Sequence, residues 1–312
     1  KGGATAQNFS LDPLPTGRLT GAITGPEGEP VGARMHVLDT PVLAEAAGGS
    51  YQLDLPAGQY VLEARALGYR IITTSVTMTP GHTVQKDLML PGSPRILLVD
   101  SGAWYYDSQA AYYRQALDAL SYAYDEYRVK HVPDDAPSLV TLSPYDVVLW
   151  SAPADSPGMI GAGATITDYL ATGGNLMVSG QDVAFWDGGG YNVLQSYYLD
   201  FAHARFRSDN APSRQVMCSL NGVLSGLDFS IEGGQGADNQ RWPDEIGVLH
   251  PDHASRTCSY AEGEGAVVQA DICNPHRSLV LGFGFEAISA EADRNQLLAQ
   301  ALDWFASERP AT

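Results

Sequence analysis

The 312-residue chain sets 36 acidic against 18 basic residues, a formal net charge of −18, with 44% of its residues hydrophobic. Such an excess of negative charge repels nucleic-acid phosphates and anionic membrane surfaces, and no run reaches the ~18–20 continuous apolar residues of a membrane span. What remains is a folded chain long enough for two cores, with no nucleic-acid partner and no membrane insertion expected. The acidic residues are scattered, as on a solvated surface. No charged-then-apolar leader opens the chain, which starts at Lys1 and reads as a piece of something longer.

The opening "GATAQNFSLDPLPTGR" and the later "GHTVQKDLMLPGSPR" share Gly3/Gly81, Thr5/Thr83, Gln7/Gln85 and Leu11/Leu90. Chance similarity is one explanation; the other is an internal repeat, in which residues 1–16 hold the last strand of a preceding repeat and a linker. From 17 to 92 the pattern has period two. Segments such as "SYQLDLPAG" and "YVLEARALGY" alternate apolar and polar residues between Gly, Pro and acidic turns. They predict an all-β sandwich with Tyr51, Leu53, Leu55, Tyr60, Leu62, Ala64 and Ala66 facing inward.

The run Gly21, Ile23, Thr24, Gly28, Pro30, Val31, Ala33, followed by Tyr51, Leu53, Leu55, Pro56, Ala57, Gly58, Tyr60, Leu62, Ala64, Ala66, Gly68 and Tyr69, resembles the carboxypeptidase regulatory-like domain. The resemblance covers residues 17 to 92 and implies a transthyretin-like β-sandwich, a non-catalytic module found along secreted proteins.

From residue 93 the period changes. "RILLVD" is an apolar run suited to a strand buried on both faces. Next, "DSQAAYYRQALDALSY" puts Ala110, Tyr113, Leu117 and Leu120 on one helical face, with Asp107 or Ser108 placed to cap it. Then come "DVVLWSA", a helical stretch over Ile166–Leu170 stopped by Gly173-Gly174, "NLMVSG", "SLVLGFGF" and the amphipathic "AEADRNQLLAQALDWFAS". The alternation predicts an α/β domain over 93–312 with a mostly parallel sheet, and the irregular 200–275 region predicts extra strands and long loops beside it.

Ligands of open α/β sheets bind at the carboxyl ends of strands. The residues there are Asp100, Ser101, Ser151, Ser179, Gln181, Asp182 and Glu286, the candidate ligand contacts. This half resembles the flavodoxin-like, class I glutamine amidotransferase-like superfamily, which also includes ThuA-like proteins, through its strand order, its "GGNLMVSG" strand and turn, and its last strand running into a C-terminal helix. The resemblance implies a cysteine nucleophile at the turn, activated by a His–Glu pair near the C-terminus. Here the position falls on Gly180, or on Ser179 if the register slips, and Phe285-Glu286 follows the last strand with no histidine. No catalytic residue and no cofactor are therefore expected.

Asp100, Asp182 and Glu286 either converge on a cation such as Ca²⁺ or accept backbone amides at helix starts; the second is preferred and no metal is assigned. The pair His250 and His253 falls in a Pro-containing stretch, better suited to a surface loop than to a metal. Aromatics from Trp104 to Tyr127 either line a sugar-binding surface or pack. Cys258 and Cys273 flank a hairpin-like "SYAEGEGAVVQAD", which allows a bridge between them; free buried thiols are the alternative.

The pairing of the two domain types resembles C-terminal regions of secreted subtilisin-like serine peptidases. The expectation is an extracellular or cell-surface accessory region, non-catalytic itself, whose partners are neighbouring domains of the parent chain and a protein or glycan substrate. A hydrolase with Asp182 or Glu286 as general base, or a carbohydrate-binding domain, is the alternative.

Overall fold

The computed structural model describes residues 13–105, 107–272 and 274–308. The chain divides into two compact units, the first ending at Gly92 and the second starting at Ser93. Residues 1–12, where the repeated strand is expected, lie outside the described residues.

In the first unit the strands are β1 (Thr16–Thr24), β2 (Ala33–Val37), β3 (Leu43–Ala46), β4 (Ser50–Pro56), β5 (Gly58–Arg65), β6 (Ile72–Met78), β7 (Thr83–Gln85) and β8 (Leu88–Met89). They form two four-stranded sheets, one ordered β4-β1-β7 with β8 also on β1, the other β3-β2-β5-β6. Period two sets the faces: in β4, Tyr51, Leu53 and Leu55 are buried while Gln52 and Asp54 are exposed. The inward residues of both sheets, among them Leu19, Ile23, Met35, Leu62 and Met78, make one apolar core, each large aliphatic contributing ~1.5–3 kcal/mol by leaving water. Tyr60, expected inward, is half-buried and donates its hydroxyl to the Pro56 carbonyl at 3.1 Å. Gly21 interrupts β1 because a Cβ there would lie 1.9 Å from the Lys86 carbonyl oxygen.

In the second unit, chain order gives β9 (Ile96–Asp100), α1 (Ala110–Ala119), β10 (Tyr124–Arg128), α2 (Leu139–Leu142), β11 (Val147–Ser151), α3 (Gly163–Ala171), β12 (Asn175–Ser179) and α4 (Val183–Asp187). There follow β13 (Ala204–Ser208), β14 (Gln215–Cys218), β15 (Asp228–Ser230), β16 (Glu245–Val248), β17 (Ala254–Tyr260), β18 (Gly265–Ala270), β19 (Ser278–Leu281) and α5 (Glu291–Ala306). All the strands belong to one 11-stranded sheet, whose parallel part runs β10-β9-β11-β12-β19. Counting parallel strands along the chain, the spatial order is 2-1-3-4-5.

Alternate residues of these strands enter different cores. Leu98, Leu149 and Met177 pack with α1 and α5, whereas Val99, Trp150 and Val178 pack with α3 and α4. Helices therefore cover both faces, and the inner parallel strands β9, β11, β12 and β19 are buried throughout, whereas the edge strand β10 ("YDEYR") is only partly so. The 200–275 region is not beside the sheet but in it. Strands β18, β17, β14 and β15 extend it antiparallel from β19, and β13 and β16 join through β18. The sheet is thus mixed rather than mostly parallel: β17 and β18 pair as a hairpin, β13 and β14 find antiparallel partners far along the chain, and no helical crossover is needed.

Gly173 and Gly174 end α3 as expected. Gly173 takes a φ of +93°, and the amides of the pair donate to the carbonyls of Leu170 and Tyr169 at 2.9 and 3.2 Å, closing the helix as a C-terminal glycine does.

Candidate functional site

Parallel register lines up the strand ends. Asp100 pairs with Ser151, Ser151 with Ser179, and Ser179 with Leu281, so Asp100, Ser151 and Ser179 lie in one row at the carboxyl edge, where the order reverses between β9 and β11, and Ser101, Gln181, Asp182 and Glu286 follow beyond the strand ends. All seven candidates are buried, and nearly all are held by their neighbours.

Asp100 accepts the Ala103 amide at 3.2 Å and the Ser108 hydroxyl at 2.5 Å. Ser108 is thereby diverted from the cap of α1, whose N-cap position is Gln109 with no side-chain cap. Ser101 donates to the Ser151 carbonyl at 2.9 Å and accepts the Trp150 indole N–H at 3.1 Å. The Ser151 Oγ has no hydrogen-bond partner. Ser179 shares a 2.7 Å hydrogen bond with the hydroxyl of Tyr113, whose ring stacks on Phe285 at 4.2 Å. The core face of α1 thus fills the space above β12. Beside Ser101 and Ala152 a recess of ≈ 10 Å³ remains, room for about one water molecule.

Gln181 uses both ends of its amide. It donates to the Pro153 and Asn239 carbonyls at 2.9 and 3.2 Å and accepts the Arg241 and Trp242 amides at 2.7 and 3.1 Å. Two loops are pinned over the strand ends, and no polar group of this side chain faces a ligand.

The turn after β12 is not a strained elbow. Gly180 has a φ outside the left-handed region, and a Cβ on it would lie 2.2 Å from the Ala152 carbonyl oxygen and 2.6 Å from Val183 Cγ2. A nucleophilic side chain has no room there, which is the physical reason for a glycine at this position.

Glu286 is 1% exposed. One of its oxygens accepts from Asn239 at 2.9 Å and the other has no partner; burial pushes the carboxyl up to about 7. Neighbouring Gln240 accepts the Gly284 amide at 2.9 Å, closing the loop over it. The three acids considered together in the sequence do not meet: Asp100 and Glu286 are occupied as described, whereas Asp182 faces other partners.

Asp182 precedes α4 without capping it. Among the described residues, Asp182, Asp209 and Asp244 bring three carboxylate oxygens within 4.8 Å of one another. Burial and the charges of Asp209 and Asp155 raise Asp182 to about 7, and Asp244, fully buried, is held well above the ordinary carboxylate range by burial first and then by the charges of Asp182 and Asp209. Sequence reasoning missed Asp209 and Asp244, isolated acids in irregular segments, and also Asp187. The last is buried, accepts the Ile160 amide at 3.1 Å and the Tyr197 hydroxyl at 2.7 Å, and is pushed by burial up to about 6.

His250 and His253 lie in a turn, as expected, and His203, not singled out from the sequence, packs against both. Burial is the largest effect on His203 and pushes it down to about 4, so it is neutral near pH 7. The aromatic run does not offer a sugar platform at Tyr113 or Tyr122, both of which are buried.

The expected bridge is corrected. Cys258 is bonded to Cys218, its directly opposed partner on β14 and β17, and therefore not to Cys273, which lies outside the described residues. Cross-strand adjacency, not hairpin flanking, selects the pair.

No protein-family model matches the chain, and no curated protein matches it. Among solved structures it is similar to a protein from Bacteroides uniformis described as ThuA-like, at 12% identity over 69% of this chain and 91% of that one, with a TM-score of 0.46. A ThuA-like protein from Parabacteroides merdae matches at 13% identity over 68% and 89%, TM-score 0.44. GBS52, a minor pilin of Streptococcus agalactiae, matches at 22% identity and TM-score 0.23 over 26% of this chain, and only 46% of the pilin's length is covered.

Proposed function

We propose that this chain is a non-catalytic accessory region of a larger extracellular protein. In this reading a carboxypeptidase regulatory-like β-sandwich precedes a flavodoxin-like domain of amidotransferase-like descent that has lost its nucleophile. Two sheets around one core support the first assignment, and the 2-1-3-4-5 order with helices on both faces supports the second. In this reading the parent is a subtilisin-like serine peptidase with its catalytic set outside these residues, a reading suggested by the resemblance of the domain pairing alone.

The observation that carries the reading is the state of the strand-end row. Gly180 has no space for a side chain, Ser179 is tied to Tyr113, and Gln181 spends its amide on four backbone groups. A serine nucleophile needs a base within hydrogen-bond reach, and the partner of Ser179 is a tyrosine that burial holds well above its ordinary pKa.

The rival hydrolase reading draws on Glu286 and Asp182, whose pKa values near 7 suit a general base. Glu286 is buried under the loop that carries Asn239 and Gln240, and a base must reach the proton it removes. The test is turnover of ester, amide and glycoside substrates by the purified chain. The proposal expects none above background. Turnover that disappears in Glu286→Gln or Asp182→Asn would replace it with the hydrolase reading. In the full-length parent, removal of these residues is expected to leave kcat on a small peptide substrate unchanged and to alter substrate-surface binding or lifetime.

A further inference from the structure

We propose that Asp182, Asp209 and Asp244 form a binding site for a hard divalent cation, with Ca²⁺ as the best fit. The site goes beyond the accessory reading and does not depend on it. Three separate segments build it. Asp182 follows β12 by three residues, while Asp209 and Asp244 adjoin Ser208 and Glu245, which the antiparallel pairing of β13 and β16 sets opposite each other. One carboxylate oxygen of each lies within 4.8 Å of the others. Two oxygens bound at 2.3–2.6 Å to a shared Ca²⁺ are at most ~5 Å apart, so the spread fits one ion.

A cluster of acids on a surface is unremarkable in itself, because water and salt screen it. This one is mostly inside. Asp244 is 0% exposed and Asp182 6% exposed. Asp244 Oδ2 accepts the Phe185 amide at 3.1 Å, whereas its Oδ1 is wholly buried and accepts no hydrogen bond from protein. A buried carboxylate oxygen without a donor is a costly arrangement unless something positive completes it. No arginine or lysine does so among the described residues: the ion pair nearest in sequence, Arg241 with Asp155 at 3.9 Å, uses a different carboxylate.

The donor set decides the class of ion. It contains oxygen only, without sulfur or imidazole, and so selects Ca²⁺, Mg²⁺ or Mn²⁺ over zinc or copper. Asp209 is exposed, leaving one side open to the water ligands that complete six to eight positions around Ca²⁺. Bound there, the ion would tie the start of α4 to the β13–β16 pair.

Trp186 lies one helical turn from Asp182, its amide donating to the Asp182 carbonyl at 3.1 Å, and can act as an optical antenna. The experiment is titration of the full chain with Tb³⁺ under tryptophan excitation, competed with Ca²⁺, together with calorimetry and thermal melts in Ca²⁺ or chelator. The expected result is saturable, Ca²⁺-displaced emission with one site per chain, and a melting temperature raised by Ca²⁺ and returned by chelator. Asp209→Asn, an exposed change that leaves the fold intact, should weaken Ca²⁺ binding about tenfold or more through loss of one ligand charge, and Asp244→Asn should abolish it. Absence of binding of Ca²⁺, Mg²⁺ and Mn²⁺ at millimolar concentration overturns the proposal. So does binding of unchanged strength in both Asp209→Asn and Asp182→Asn.

Discussion

A methyl group at Gly180 would press on the Ala152 carbonyl at 2.2 Å. The Ala152 backbone on one side and the buried Val183 side chain on the other leave little room to yield, so Gly180→Ala should cost on the order of 3 kcal/mol of unfolding free energy in urea titrations; a cost below about 1 kcal/mol would mean the turn is looser than described. Glu286 gives a pH prediction. Its folded pKa of about 7 lies above the ordinary value of 4.5, so the folded state holds the proton more tightly than the unfolded chain. That contribution is complete below about pH 4.5 and is lost as pH rises through about 7, on the order of 3 kcal/mol in all. Urea titrations from pH 4.5 to 8 should show a decline to which Asp182 and Asp187 also contribute, and Glu286→Gln should reduce it by about that amount; a decline of unchanged size in the variant contradicts the assignment. At this scale the sequence was informative where chemistry sits at a strand end. The missing nucleophile at Gly180 was legible, whereas the sealing of Glu286 was not, because Asn239 and Gln240 arrive from a segment without periodicity.

Among elements, the two loops held by Gln181 matter most. Truncation to Ala would leave two carbonyls and two amides to find other partners, each worth ~1 kcal/mol or more. Gln181→Ala should therefore destabilise by roughly 3 kcal/mol and should speed hydrogen exchange at Arg241 and Trp242 before other sites. Uniform protection loss across the sheet would argue against a local clamp. The disulfide joins β14 to β17 across a sequence separation of 40, and loop-closure entropy for such a span is about 4 kcal/mol. Peptide mapping should recover Cys218 linked to Cys258, and Cys218→Ser with Cys258→Ser should lower stability by that order. Strands β9, β11, β12 and β19 and helix α5 were readable because apolar runs and helical periodicity identify them locally, whereas β10, the polar edge strand "YDEYR", has no such signal. The β17–β18 hairpin was visible in "SYAEGEGAVVQAD", but β13 to β16 were not, since short antiparallel strands take their pairing from distant partners. The Cys218–Cys258 bond follows from that pairing, which is why hairpin spacing pointed to Cys273 instead.

For the molecule as a whole, the two units carry separate cores, and the functional account rests on the second. Its carboxyl edge has the layout of a ligand-binding sheet, yet side chains from α1 and the 239–242 segment occupy the place a ligand would take. A thiol probe distinguishes a closed edge from an open one. Ser151 is 0% exposed, stands at the centre of the row and has an Oγ without a partner, so Ser151→Cys removes no hydrogen bond. Labelling of this variant with an aromatic disulfide reagent, measured above the wild-type background from Cys273, reports access directly. The account predicts that Cys at position 151 reacts no faster than the chain unfolds, with the rate rising in urea in step with the unfolded fraction. A stoichiometric burst in native buffer, at the rate of an exposed thiol, would contradict it and reopen the crevice as a working site.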